Sequence, residues 1–396
     1  MPQRPTDRTL AILLASLAAL GPFSIDTYLP SFHDIGAQLG ASQFQVQQTL
    51  AAYLLAFSLM TLWHGAIADR FGRRRVILSA LGLFCLASIG CALAGNIGQL
   101  WFWRAMQGIT AGAGIVVSRA IVRDLYDGPP AQRLMSRISM MFALAPAIAP
   151  VIGGWLQDTF GWRSVFVFLV LSTAGIGLAC WRLLPETLPP EKRQPLNPGY
   201  LVNAYRKVLT SPRFLLACAA LALNFLGFFI YVLSAPSFVM THLGLTETAF
   251  IVMFGPAMSG MLLGSWLSGQ LAGKRTLMQT IALGYSLMGA AALANLAINL
   301  SLPPALPWSV APLFFYTMGM ALSMPCLSLL ALDPFPTQRG LAASCQTFLQ
   351  SGANSLGAGV IVPLLWASTV SMASGMAGLL LLGGLAALAH RHLVKT

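Results

Sequence analysis

Asp26 stands between Pro22 and Pro30 in an otherwise apolar stretch of the chain, and Arg104 stands inside another such stretch. An ionisable side chain among apolar residues is costly and is by default a functional hypothesis. Burial favours the neutral form of a carboxyl group and a nearby cation favours the ionised form, so access to water or to Arg104 could switch the protonation of Asp26. A proton-coupled carrier requires that chemistry. The competing reading is a static pair in which Asp26 only neutralises Arg104, whose burial without a partner would be expensive. The prolines remove backbone hydrogen bonds and predict a bend around Asp26.

A second concentration of charge lies at Gly65 to Arg75, GAIADRFGRRR, where Asp69 sits beside a basic cluster and Gly65 and Gly72 allow close backbone approach. Arg119 and Arg123 lie four apart, followed by Asp124, and snorkelling to an interface explains the arginines most simply. Gln346, Gln350 and Asn354 recur every four residues and form one polar stripe. Tyr53, Phe57, Asn224, Tyr231 and Tyr316 could face a central cavity with that stripe, although polar residues also hold membrane helices together with no substrate involved. His33 and Asp34 are expected in solvated loop, and His64, His242, His390 and His392 near interfaces.

The elements that must position these residues follow from composition. Of 396 residues, 57% are hydrophobic and 9% charged, against about 25% charged in an ordinary soluble domain. Such a chain cannot cover a water-facing surface. Apolar stretches of spanning length run over Leu10–Tyr28, Leu50–Ala68, Val76–Gly95, Leu100–Val122, Ser139–Leu156 and Val165–Leu184. Six more run over Phe214–Phe238, Thr248–Ala272, Leu277–Leu300, Trp308–Leu332, Leu341–Pro363 and Met372–Ala389. Arg163 alone among the 23 Lys and Arg residues falls on one side of this twelve-span arrangement. Arg104 and Arg119 fall within a span and all the others lie opposite, which predicts cytoplasmic termini by the positive-inside rule. The run from Leu10 after Arg4 and Arg8 is read as a retained span rather than a signal peptide.

The expected fold is therefore an all-α membrane protein of two six-helix bundles, residues 1–184 and 213–396, joined by a cytoplasmic linker over 185–212. Prolines favour an extended linker, and Tyr200–Leu209 suits a short helix along the membrane surface. Two bundles about a central site fit a transporter that rocks between them. No cofactor or metal is expected: the six cysteines form no C-x-x-C pair. The net charge of +12 is a topology signal, not a nucleic-acid-binding face.

Taken whole, GAIADRFGRRR resembles the signature G-x-x-x-D-R-x-G-R-[RK]-[RK] of the major facilitator superfamily. LWFWRAMQGITAGAG, Leu100 to Gly114, resembles its fourth-helix motif, with Arg104, Gln107 and Gly108 at matching positions. APVIGG, Ala149 to Gly154, resembles the antiporter motif G-P-x-x-G-G through Pro150, Gly153 and Gly154, with Ala149 replacing the first glycine. SIDTYLP, SRAIVRD and YVLSAPSFV narrow the resemblance to the Bcr/CflA group of drug/proton antiporters, over essentially the whole chain. The resemblance implies that Asp26 occupies the acidic first-helix position tied to proton and drug binding. It also implies that Gly65, Asp69, Arg70, Gly72, Arg73 and Asp124 belong to a conformational latch whose partner is the start of the eleventh helix.

The expected function is proton-coupled export of small drug-like compounds by a monomeric multi-pass protein of the bacterial inner membrane. The partners are the substrate, protons and the lipid bilayer. A proton-linked importer or exporter of one small metabolite is the rival. An ATP-driven pump is disfavoured because GQLAGKR, Gly269 to Arg275, lacks the phosphate-loop spacing. No H-E-x-x-H or G-x-S-x-G string points to an enzyme, and no repeated filter points to a channel.

Overall fold

Helix starts coincide with side chains that accept hydrogen bonds from the first turn. Ser42 and Gln45 form a capping box at the start of one long helix, Thr276 and Gln279 form a second, and Asn96 and Ser211 cap two others; each such side chain satisfies a backbone N–H that the helix itself leaves orphaned. The computed structural model describes residues 7–126, 128–193, 197–335 and 338–395. It divides into two compact units, Met1–Pro198 and Gly199–Thr396.

The first unit contains α1 (Asp7–Asp26), α2 (Phe32–Leu39), α3 (Gln43–Phe71), α4 (Arg73–Ala92), α5 (Ile97–Leu125), α6 (Gly128–Phe160) and α7 (Arg163–Leu183). The second contains α8 (Pro198–Leu209, whose first residue closes the first unit), α9 (Pro212–Leu233), α10 (Ile251–Leu271), α11 (Leu277–Ser301), α12 (Ala311–Leu332), α13 (Arg339–Leu356), α14 (Val362–Leu365) and α15 (Thr369–Lys395). Within the first unit α1 packs on α5, α6 and α7, α3 on α5, and α4 on α5 and α7. Within the second, α9 packs on α12, α13 and α15, α10 on α12, and α11 on α12 and α15. The two pairing patterns are the same, helix for helix, which is an internal structural repeat of the kind transporters are built from. The sequences of the halves betray it only through GQLAGKR, a faint echo of the Asp69 loop.

Eleven helical segments among the described residues are long and apolar enough to cross a membrane. The expected span Ser139–Leu156 falls within α6, several of whose side chains lie outside the described residues. Leu171, Leu293, Leu364 and Leu381 are each at least 65% exposed. In water such a surface would drive aggregation; in a bilayer it is the face presented to lipid.

One expectation needs correction and two gain detail. The first span does not end in a solvated loop: after α1 the chain makes a 3₁₀ turn at Leu29–Ser31 and continues as α2, where Asp34 is half-buried and accepts a hydrogen bond from Gln157 Nε2 of α6. His64 and His390 are buried by packing within their units. The seventh apolar stretch is α-helical to Leu233, turns at Ser234 and then continues through 235–236 into a π-helical segment over Ser237–His242. The short helix expected from Tyr200 is present as α8.

Candidate functional site

In the first unit the polar residues gather where α1 stops. A helix leaves its last carbonyls without internal partners, and α1 ends at Asp26, beyond Pro22. The carbonyl of Ser24 is met by Arg104 Nη1 of α5 at 3.1 Å. Arg104 is fully buried. Its guanidinium carbon lies 4.6 Å from the ring centre of Tyr28 and 4.5 Å from that of Tyr53, a stacked arrangement between two aromatic faces. A desolvated cation over an aromatic ring is worth about 2 kcal/mol.

Hydrogen bonds extend the cluster across four helices. Arg104 Nη1 also donates to Gln107 Oε1 at 2.7 Å, and Gln107 Nε2 donates to Ser88 Oγ of α4 at 2.8 Å. Ser24 Oγ donates to the Tyr53 hydroxyl of α3 at 2.8 Å, and the Tyr28 hydroxyl lies 2.8 Å from Thr49 Oγ1. Arg104 Nε and Nη2 have no hydrogen-bond partner among the described residues. Thr49 and Ser88 carried no signal in the sequence beyond being polar inside apolar stretches, and Ser24 and Tyr28 entered only as part of the string SIDTYLP.

Asp26 is 3% exposed and takes part in neither ion pair found among the described residues. A static Asp26–Arg104 lock is therefore not what holds the arginine: two ring faces, a backbone carbonyl and an amide oxygen do. Immediately after Asp26 the chain touches α6. A Cβ placed on Gly153 would run into the carbonyl of Thr27, so only glycine lets α6 lie this close to the end of α1. Gly153, with buried Pro150 and Gly154, thus brings the APVIGG string against the Asp26 segment.

A second cluster forms at the opposite end of α3. Gly72, with φ of 97°, links α3 to α4 through a conformation that other residues rarely adopt. Arg73, 7% exposed, pairs through Nη1 with Asp69 at 2.6 Å and through Nε with Asp124 of α5 at 3.1 Å. The backbone N–H of Arg73 donates to Glu186 Oε1 at 2.9 Å, and Thr187 Oγ1 donates to Asp124 Oδ2 at 2.8 Å. The segment after α7 therefore folds back onto the Asp69 loop, which proline content alone had suggested would be a plain extended linker. A Cβ on Gly72 would press on the Glu186 carboxylate. Arg70 instead lies over its neighbour Phe71, and Gly65 faces Val116 of α5.

In the second unit, Asn224, Tyr231 and Tyr316 are fully buried and engaged within the helix packing. The Tyr316 hydroxyl donates to the Asn224 carbonyl at 3.0 Å, Asn224 Nδ2 to the Tyr285 hydroxyl at 2.8 Å, and Asn295 Nδ2 to the Tyr231 hydroxyl at 2.7 Å. These contacts, and those of Tyr53, are helix-to-helix bonds, so for these four the packing role is the one observed. Phe57, Gln346 and Gln350 are half-buried. Gln346 Oε1 accepts from Ser328 Oγ at 3.1 Å, and Asn354 Oδ1 is buried without a hydrogen-bond partner among the described residues. No group of three or more His, Cys, Asp and Glu able to hold a metal occurs among the described residues.

Comparison with known proteins gives this geometry a setting. A family model described as Major Facilitator Superfamily matches residues 13–358. The chain is 37% identical over 268 residues to the uncharacterized MFS-type transporter YdgK of Bacillus subtilis, covering 67% of this chain and 66% of that one. It is 28% identical to multidrug resistance protein D of Escherichia coli, covering 91% and 89% of the two chains. It is 29% identical to the bicyclomycin resistance protein homolog of Haemophilus influenzae, covering 69% of each. In fold it is similar to a bacterial homolog of the human lysosomal transporter Spinster, with a TM-score of 0.75 at 17% identity over 100% and 98% of the chains. It is also similar to the human organic anion transporter MFSD10, with a TM-score of 0.67 at 19% identity over 97% and 100%.

Proposed function

Since the chain belongs to the Major Facilitator Superfamily, and is a multi-pass membrane transporter of small molecules rather than an enzyme, we propose that it exports drug-like compounds in exchange for protons. The observation that carries this reading is Asp26, a buried carboxyl group that joins neither ion pair among the described residues and ends α1, in a segment that Arg104 holds through the Ser24 carbonyl instead. A carboxylate locked to Arg104 would have little freedom to gain and lose a proton. One standing apart can do so as water reaches it. The relatives named for multidrug, bicyclomycin and chloramphenicol resistance support drug-like cargo, and the Gly153 contact with Thr27 links the antiporter-like string to the same segment.

The remaining parts of the proposal follow the sequence. Twelve spans arranged as bundles 1–184 and 213–396 with linker 185–212, cytoplasmic termini, a bacterial inner membrane and a monomeric state complete the assignment, with Lys and Arg placement as its support. Asp69, Arg73 and Asp124, with Gly65, Arg70 and Gly72 shaping their loop, serve as a conformational latch on the cytoplasmic side. Phe57, Gln346, Gln350 and Asn354 contribute polar and aromatic surface to the substrate path, and Tyr53, Asn224, Tyr231 and Tyr316 brace the helices behind it.

The test is reconstitution into liposomes with a trapped pH indicator and a panel of antibiotics. Antibiotic movement accompanied by opposite proton movement, abolished by collapsing ΔpH, is the expected result. Substrate movement indifferent to ΔpH would overturn proton coupling, and a response only to a single metabolite would overturn drug export.

A further inference from the structure

The second unit contains a cavity of 310 Å³ whose walls are α11, α12 and α15. Met278, Ile281, Leu327, Leu330 and Ala387 make its apolar walls, and His390 and Arg391 stand at one end. Its floor is continuous with a buried cluster that includes Ala220 and Leu221 of α9. Nothing in the proton or latch chemistry uses this space. Ligand pockets span about 300–1,000 Å³, so it holds part of a long apolar molecule rather than a large one.

The charge around the polar end is one-sided. The cavity lies at the first turns of α11 and the last turns of α12 and α15. Lys274 and Arg275, both exposed, lie in the turn that ends two residues before α11 begins. Arg213, in the first turn of α9, interacts electrostatically with His390 and donates to the Leu393 carbonyl at 2.9 Å. Asp333 is the acid that also faces His390, and the only other acid of this half in the sequence is Glu247. Arg391 is exposed and takes part in neither ion pair among the described residues. Beside the cavity, Leu329, Leu385 and Leu388 are all more than half exposed on the bilayer-facing surface.

From this juxtaposition we propose that the cavity is a binding site for an anionic phospholipid, with an acyl chain among Met278, Leu327 and Leu330 and the phosphate at Arg391. Basic pockets between spanning helices bind anionic headgroups for the same reason: the tail gains van der Waals contact with the apolar walls, and the phosphate gains a guanidinium whose fork matches its oxygens. Free phosphate would leave the apolar walls uncovered, and a zwitterionic lipid, although its phosphate can meet Arg391, would bring its own cation against the positive charge of Lys274, Arg275 and Arg213 and leave that charge uncompensated. Lipid held here would wedge α11, α12 and α15 apart at the end where His390 and Arg391 stand.

The protein is placed in nanodiscs of equal phosphatidylglycerol and phosphatidylcholine with identical chains, and lipids retained on release are counted by native mass spectrometry. Wild type is expected to retain phosphatidylglycerol at least threefold over phosphatidylcholine. Arg391→Glu and the cavity-filling Ala387→Phe should each remove that preference, whereas the charge-matched Arg182→Glu, on α7 of the other half, should keep it. Phosphatidylglycerol with a photoreactive chain should label 278–285, 327–330 and 384–391. Equal retention of both lipids, an equal loss in Arg182→Glu, an unaffected Ala387→Phe or label spread evenly over all outward helix faces would each overturn the proposal.

Discussion

Arg104 and Ser24 lie 80 residues apart in the chain, and the Nη1 of the first donates to the carbonyl of the second at 3.1 Å. The bond ties the interior of α5 to the end of α1 two residues before Asp26. Arg104 is thereby a positioning residue for the Asp26 segment rather than its permanent counter-ion.

Arg104→Lys separates these roles. A lysine keeps the charge but lacks the planar fork that stacks between two rings while bonding a carbonyl. If Arg104 acts by shape, the variant should transport at least tenfold more slowly and unfold at lower temperature, with a loss on the order of 2 kcal/mol for the stacked cation. Proteoliposome rates and thermal unfolding of purified protein measure both. Normal rates in Arg104→Lys would mean that charge alone matters.

Gly153→Ala should push α6 from Thr27, because the added Cβ meets backbone that cannot rotate away. Transport should fall by an order of magnitude or more. Gly82→Ala meets nothing within 4 Å, and replacing a mid-helix glycine there should be neutral or stabilising by up to about 1 kcal/mol. Comparable transport in the two variants would deny the close approach a role.

For the Asp69 cluster, exposed ion pairs commonly contribute only about 0–1 kcal/mol, but Arg73 has its guanidinium largely out of water with two acids on it. Asp69→Asn should shift the population of the two halves toward the inward-open state, read as altered distance distributions between spin labels on each half. Identical distributions with transport intact would leave the cluster as surface decoration.

Glu186→Ala should free the segment after α7 from the Arg73 backbone. Limited trypsin cleavage at Lys192 and Arg193 is expected to accelerate several-fold in the variant. An unchanged cleavage rate would show that the Glu186 contact does not restrain the linker.

How much of this was readable beforehand depends on the range of the interactions. Apolar stretch length is a local property, and it marked nearly all of the long helices. The GAIADRFGRRR string likewise pointed to Asp69 and Arg73, since both lie within one turn of a helix junction. Glu186 was not legible, because its role arises 113 residues from Arg73 and a proline-rich sequence around it reads as linker. Nor was the stacking of Arg104 between Tyr28 and Tyr53: intramembrane charge named Arg104 and Asp26 as partners, while tertiary packing supplied aromatic faces and a broken helix end instead. The continuation of the first span into α2 was obscured by Pro30, which sits inside a 3₁₀ turn rather than a loop.

Proton flux driven by substrate in proteoliposomes containing Asp26→Asn is the most direct measurement. Asparagine keeps the size and removes the ionisable group. Protein of wild-type yield and thermal stability should then show no substrate-driven proton movement, and any residual substrate movement should no longer depend on pH. Substrate-coupled proton flux at the wild-type rate in Asp26→Asn would contradict a coupling role for this carboxylate.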